Sequence, residues 1–546
     1  MTAPRPSTGP TSILRGYGPL LMLAVLVLGM AVFVPSKVQS VRNASLDASG
    51  ARDGGSGDTT ASGDSASGDP GSGAGGATGT GGQRNTPIPP GARACTDRAL
   101  QVTGDPYSPP CVTFSGSNGG STYRGVTSTE IHVAVRKTSD ATLEDAIAQI
   151  VGTEIADTPE DVARTGQVLI EYFNKRFQMY GRHIVLDLYD GQGSIQAELV
   201  GNGRDKAEVD ATKVAGELKS FADITAGTEP YGDALSRQGV LNFGEPLLSR
   251  EWFTQRRPYA WSVLPDCSTI VEEATEYVLK RLSGGKADFA GGDLKGQPRR
   301  ITILGPENSW YQECVKAAVK VFNAAGHPLE VEPIAYQLDI PTFSNQASNI
   351  IAKLKSERVT TLLCGCDPIF PIFLSGDANR EGYFPEFVSG YELDIVGQLW
   401  DAEFTKHAFG ISPLGPNVSQ PPYATIGYAA YKSLRNDEPA HAVDALYYQF
   451  YLLALGIQLA GPNLTPTTYE KGMFTYHDHL GPAGLWGFGP QDYTPMDDFH
   501  EIFWDPNKIS AYNSKPGAWS DPRPGKRYVH NKNQMEVGPP STQPQA

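Results

Sequence analysis

Basic charge is scarce in this chain. Over 546 residues, 45 Lys and Arg stand against 60 Asp and Glu, a formal net charge of −15. That deficit argues against nucleic acid or an anionic membrane surface as a main partner. Catalytic signatures are missing too. Serine and histidine occur without a G-x-S-x-G elbow, and neither a G-x-G-x-x-G nor a P-loop pattern stands where its mechanics would require one. The pair His477 and His479, in "YHDHLG", has no third or fourth ligand at suitable spacing, so it reads as a surface turn and not as a metal site. No cofactor and no enzymatic activity are expected. Cysteine is rare, and the first, Cys95, lies far from the chain's one long apolar run, which excludes lipid attachment just after that run.

That run is "GPLLMLAVLVLGMAVFV", residues 18–34, with Arg5 and Arg15 before it and Lys37 and Arg42 after it. A membrane span needs about 17–25 apolar residues, so it reads as a single-pass signal anchor with residues 1–17 inside. A cleaved signal peptide is the alternative. Either way the remainder is exported, to a bacterial cell surface or periplasm. Residues 35–90 follow as a linker, mostly Gly, Ser, Ala, Thr and Asp, with too little apolar surface to offset its ordering entropy. Its mean reach is roughly 37 Å, a tether that keeps the globular part near the membrane.

Six cysteines in an exported chain read first as disulfides. Cys95 and Cys111 flank a Pro-containing stretch of little periodicity, so a local bridge would staple residues 91–122 as a loop. Cys267, Cys314, Cys364 and Cys366 allow three connectivities.

From Glu130 the texture alternates. "EIHVAV", "HIVLDLYDG", "ADITAG" and "VLNFGE" are strand-like; "TPEDVARTGQVLIEYFNKRF", "AEVDATKVAGELKS" and "DALSRQG" between them carry helical spacing. The pattern restarts at "YAWSVLP" and runs through "RRITILGPEN", "LEVEPIAYQ" and "TTLLCGC" with helices between. In the helix after "YAWSVLP", Thr269 and Glu272 stand at capping-box spacing. Two βα units of this kind predict an α/β protein with two similar lobes and largely parallel sheets. A helix-rich third part follows, then the late strands "GLWGFGPQD" and "DFHEIFWDP".

Gly125-Val126-Thr127 before the first strand, Tyr172-Phe173-Asn174 at a helix end, the Gly181-Arg182 turn into "IVLDLYDG" and the late "GPAGLWGFGPQD" give the chain its resemblance. From Tyr123 to Trp504 it resembles the ABC transporter substrate-binding proteins of the branched-chain amino-acid (leucine/isoleucine/valine) type. The long loop after "HVAVRK" and the extended C-terminus depart from the simplest members. The resemblance implies two Rossmann-like lobes joined by three crossovers, a type I periplasmic binding protein or Venus-flytrap. Lobe 1 is expected at 123–266 plus about 409–465, lobe 2 at 267–408 plus about 466–510, and a tail at 511–546.

It also implies a cleft between the lobes, at strand ends and helix N-termini. There Thr228 would hold a ligand carboxylate. Glu229 and Tyr231 depart from the family's hydroxyl pattern, and Glu245 stands where hydroxyls are common. Asp266 takes the place of an ammonium-binding aspartate. Trp310 and Tyr311 would face the cleft from the second lobe, with Asp367, Tyr391 and Glu392 after the next strands. Such a set predicts a small polar ligand: an amino acid, an amide, or a cationic or hydroxylated solute. Cys364 and Cys366 end a second-lobe strand; Cys267 and Cys314 begin nearby helices. Because cysteines two apart on a strand share a face without easily meeting, each is expected to bridge one of the helix cysteines.

The leading expectation is a monomeric, membrane-tethered receptor that delivers ligand to ABC permease subunits. A sensor signalling to a membrane or envelope partner is the second reading, and an exported hydrolase the third. A neighbouring set of permease and ATPase genes separates the first two; turnover assays address the third.

Overall fold

The computed structural model describes residues 86–138, 159–244, 247–390, 392–414 and 420–541. The expected anchor, most of the linker, Glu245 and Tyr391 lie outside them. Among the described residues no helix is long and apolar enough to cross a membrane.

The chain enters through the short antiparallel pair β1 (Arg93–Ala94) and β2 (Val112–Thr113), closed by the Cys95–Cys111 disulfide at a Cα separation of 5.4 Å. This staple is seated on the body. Tyr107 is buried, stacks on Trp486 at 4.6 Å and donates to the Gly484 carbonyl at 2.7 Å.

Five parallel strands form the first sheet: β3 (Glu130–Lys137), β4 (His183–Asp190), β5 (Ala222–Asp223), β6 (Leu241–Phe243) and β7 (Ala260–Trp261), in the order β4-β3-β5-β6-β7. Between them run α1 (Pro159–Arg176), α2 (Ile195–Leu199), α3 (Arg204–Gly216), α4 (Glu229–Arg237) and α5 (Arg250–Gln255). Helix α1 has Glu160 and Asp161 in its first turn and Lys175 and Arg176 in its last, the charge order that a helix dipole favours.

The second lobe opens with α6 (Cys267–Tyr277), β8 (Ile301–Pro306) and α7 (Ser309–Ala324). It continues through β9 (Ile334–Tyr336), α8 (Phe343–Ser356), β10 (Thr361–Cys364), α9 (Phe370–Arg380), β11 (Glu386–Ser389) and β12 (Ala408–Ser412). Strands β9, β8, β10, β11 and β12 are parallel neighbours in that order. The chain then returns to lobe 1 as α10 (Ile426–Lys432), α11 (Val443–Ala460) and α12 (Pro466–Met473). Nearly every residue of α11 is buried, as a helix apolar on all sides must be. Tyr469 of α12 lies over Gly456 of α11 and donates to the Leu452 carbonyl at 2.7 Å; a Cβ on Gly456 would overlap that ring.

Here the lobe boundaries differ from the sequence expectation. Strand β12 belongs to the second sheet, because β11 and the later β15 (Asp498–Ile509) pair with its two sides. The stretch after 466 belongs with lobe 1, where α12, Tyr476 and Trp486 share a core with α11. A small hairpin follows, β13 (His479–Gly481) with β14 (Gly484–Trp486). His479 is not on a surface turn: it is buried and stacked on Tyr476 at 3.8 Å, and burial lowers its pKa to about 4.

The expected tail is also structured over its described part. After β15 (Asp498–Ile509), β16 (Pro516–Ser520) pairs antiparallel with it, and β17 (Tyr528–Val529) pairs with its start. Trp519 buries against Trp504, and Tyr528 against Phe499. Two aromatics given a long strand to pair with outweigh the Pro- and Gly-rich texture around them.

Candidate functional site

The carboxyl ends of the lobe 1 strands are occupied by a network of the protein's own making. Arg136, at the end of β3, pairs with Glu198 at 2.6 Å and Asp210 at 2.8 Å, all three buried. Its guanidinium packs so close to Gly193 that any Cβ there would collide with it. Thr228 donates to Glu198 at 2.5 Å. Tyr231 is fully buried; its hydroxyl donates to Asp223 at 2.7 Å and lies 2.6 Å from that of Tyr189. Burial raises the Asp223 pKa. A buried ion pair with its hydrogen bonds met is costly to break but offers no spare group to a ligand.

The remaining residues expected at the cleft are distributed in the same way. Glu229 takes Arg204 at 2.6 Å and the Trp252 indole at 3.2 Å. Asp266 is the N-cap of α6, accepting from the Thr269 amide at 2.7 Å, with Arg250 at 3.5 Å; the cap is Asp266 with Thr269, not Thr269 with Glu272. Asp367 accepts from the Tyr336 hydroxyl and from the amides of Ile369 and Phe370, and burial pushes its pKa up to about 6. Glu392 holds His500 at 2.8 Å. These acids do not converge on one point; each has a protein partner.

Trp310 and Tyr311, in the first turn of α7, do reach the lobe boundary and pack against the lobe 1 core. Around them the lobes touch directly. Asn308 donates to the Leu199 carbonyl of α2 at 2.7 Å, and Ser249 to Glu313 at 3.1 Å.

Tyr311 also borders a cavity of about 260 Å³. It begins at the crossovers, beside Leu264, Pro265, Pro413 and Leu414, and runs into lobe 2 between α6, α7 and strands β8, β10, β11 and β12. Its walls are mostly apolar, including Val271, Ile303, Val315 and Leu363. Among the described residues the one carboxyl on its wall is Glu273, buried in α6. Sequence reasoning missed this residue. Its signal was position: Thr269, Glu273 and Tyr277 recur four apart on the buried face of α6.

Four cysteines border the cavity, and their pairing corrects the sequence expectation. Cys267 bridges Cys314, and Cys364 bridges Cys366. The first ties α6 to α7 near their N-termini, at a Cα separation of 6.0 Å. The second is possible because β10 ends at Cys364 and the chain turns at Gly365, bringing the two Cα atoms to 5.0 Å; a strand continued to Cys366 would hold them roughly 6.6 Å apart. Among the described residues no cluster could hold a metal ion.

Two lobes built on parallel strands and joined by crossovers match the periplasmic binding protein fold, the architecture of ABC transporter substrate-binding proteins of the leucine/isoleucine/valine type. Among solved structures, the chain is similar to the leucine-, isoleucine-, valine-, threonine- and alanine-binding protein of Brucella ovis in its closed conformation, with a TM-score of 0.52 at 13% identity over 76% of this chain and 99% of that one. An ABC transporter substrate-binding protein of Aeropyrum pernix gives 0.52 at 13% identity, over 74% and 97%. A fatty acid ABC transporter substrate-binding protein of Thermomonospora curvata gives 0.51 at 14%, over 78% and 100%. At such identities the likeness establishes the fold. No family model matches the sequence, and no curated protein does.

Proposed function

We propose that the chain is an exported, membrane-tethered solute-binding receptor that closes its lobes on an apolar ligand and presents it to an ABC permease. The observation that carries the ligand class is the cavity: about 260 Å³, walled mainly by apolar side chains, and bordered by the crossover residues Leu264, Pro265, Pro413 and Leu414. Ligand sites of this kind are mostly apolar with a few placed polar groups. Arg136, Glu198, Asp210 and Thr228 are paired with one another, which leaves those four side chains without a spare partner for an amino acid's two charges. A fold that serves a protein named for fatty acids is compatible with an apolar ligand.

Export is supported by three disulfides with no free cysteine. The apolar run at 18–34 and the linker after it would keep the receptor within reach of a permease. Ligand that binds only the folded chain raises its melting temperature. A thermal-shift panel should therefore show upward shifts with small aromatic and terpenoid compounds and none with free amino acids or polyamines. Shifts with leucine or lysine and none with the apolar set would reject the apolar assignment.

A further inference from the structure

Glu273 is 2% exposed, borders the apolar cavity, and its Oε1 has no hydrogen-bond partner among the described residues. An unmet polar atom in such a place is costly. Asp498, Asp497 and Asp266 act on it against Arg527; Asp498 is itself paired with Arg527 at 2.6 Å, and Asp266 has Arg250 at 3.5 Å. Burial first, and those acids second, raise the Glu273 pKa well above the ordinary carboxyl range. A protonated carboxyl has one O–H to donate and a carbonyl oxygen to accept.

The cavity's size limits what can meet it. An apolar cavity of about 150 Å³ holds benzene. One of 260 Å³ therefore takes roughly ten non-hydrogen atoms. A carboxylate of that size would bring a negative charge into a space walled mainly by apolar side chains. A pure hydrocarbon would leave Glu273 unmet.

We propose that Glu273 is the polar anchor of this cavity, selecting neutral apolar molecules that carry one hydroxyl or carbonyl group, such as aromatic or terpene alcohols, over the corresponding carboxylates. This rests on the receptor reading above.

The test is calorimetric titration of the full chain in detergent with phenylbutanol, butylbenzene and phenylbutanoate, on the unmodified protein, Glu273→Gln and Glu273→Leu. Phenylbutanol is expected to bind the unmodified protein about tenfold more tightly than either other probe, the worth of one buried hydrogen bond. Glu273→Gln keeps a donor and should stay within about threefold for phenylbutanol. Glu273→Leu should turn the preference to butylbenzene. Equal affinity for alcohol and carboxylate in the unmodified protein, or an unchanged preference in Glu273→Leu, would overturn the anchor and leave the apolar receptor standing. Binding of none of the three probes by the unmodified protein would overturn the receptor reading itself. Melting temperatures of the variants separate lost binding from lost folding, and the comparison within the unmodified protein needs no variant.

Discussion

His500 is held between Glu392 at 2.8 Å and Asp521 at 3.3 Å, with almost no exposure. Burial opposes its charge, but the two carboxylates prevail and raise its pKa to about 9. A histidine raised in this way stabilises the fold fully below its unfolded pKa of about 6.5 and loses that contribution as pH rises through about 9. The shift corresponds to roughly 3 kcal/mol. Urea unfolding of the unmodified chain and of His500→Gln should therefore differ most near pH 6 and converge toward pH 10. A gap constant across that range would show that His500 is not charged in the folded state. At this scale the sequence was least informative. Glu392 was expected to face ligand, and no local pattern revealed that a histidine 108 positions later would claim it. The same holds for Glu229 and Asp367: residue type showed an acid near a strand end, but the partner that satisfies it comes from a distant element.

Among the elements, the two lobe 2 disulfides border one cavity yet should differ in worth. Cys267 and Cys314 are 47 residues apart, and closing that loop removes about 4 kcal/mol of unfolded-chain entropy in the simplest treatment. Cys364 and Cys366 are separated by 2, so their ring removes little. Replacing Cys267 and Cys314 together by serine should lower the unfolding free energy by about 2–4 kcal/mol, while replacing Cys364 and Cys366 together should change it by less than about 1 kcal/mol. Equal losses in chemical denaturation would contradict that assignment. Elements were the most legible scale. The βα alternation from Glu130 onward marked the strands from β3 to β10, though it gave β7 to the second unit and not to the first sheet, since buried β-branched runs and helical stripes differ in period. The pairing of Cys364 with Cys366 escaped because it depends on where β10 stops, and boundaries depend on hydrogen bonding that spacing does not encode. The late strands β16 and β17 escaped because their stability comes from β15 and the aromatic contacts it supplies, not from a local pattern.

For the whole molecule, the Gly- and aromatic-containing turns that carried the family resemblance pointed to two hinged lobes, and the fold agrees. Polar residues at strand ends suggested cleft chemistry; the cavity under α6 and α7 had no such sign in the sequence. Cavities arise where packing is incomplete, and sequence marks what packs more clearly than what is left open. The central claim is that ligand occupies this space. Ala318, on α7, borders it, and Ala318→Phe would fill much of it. Calorimetric titration of phenylbutanol into the unmodified chain and into Ala318→Phe tests the claim directly. Saturable binding with a negative heat-capacity change, lost by at least about tenfold in a variant that still unfolds cooperatively, is the predicted result. Equal binding by the two proteins would contradict it.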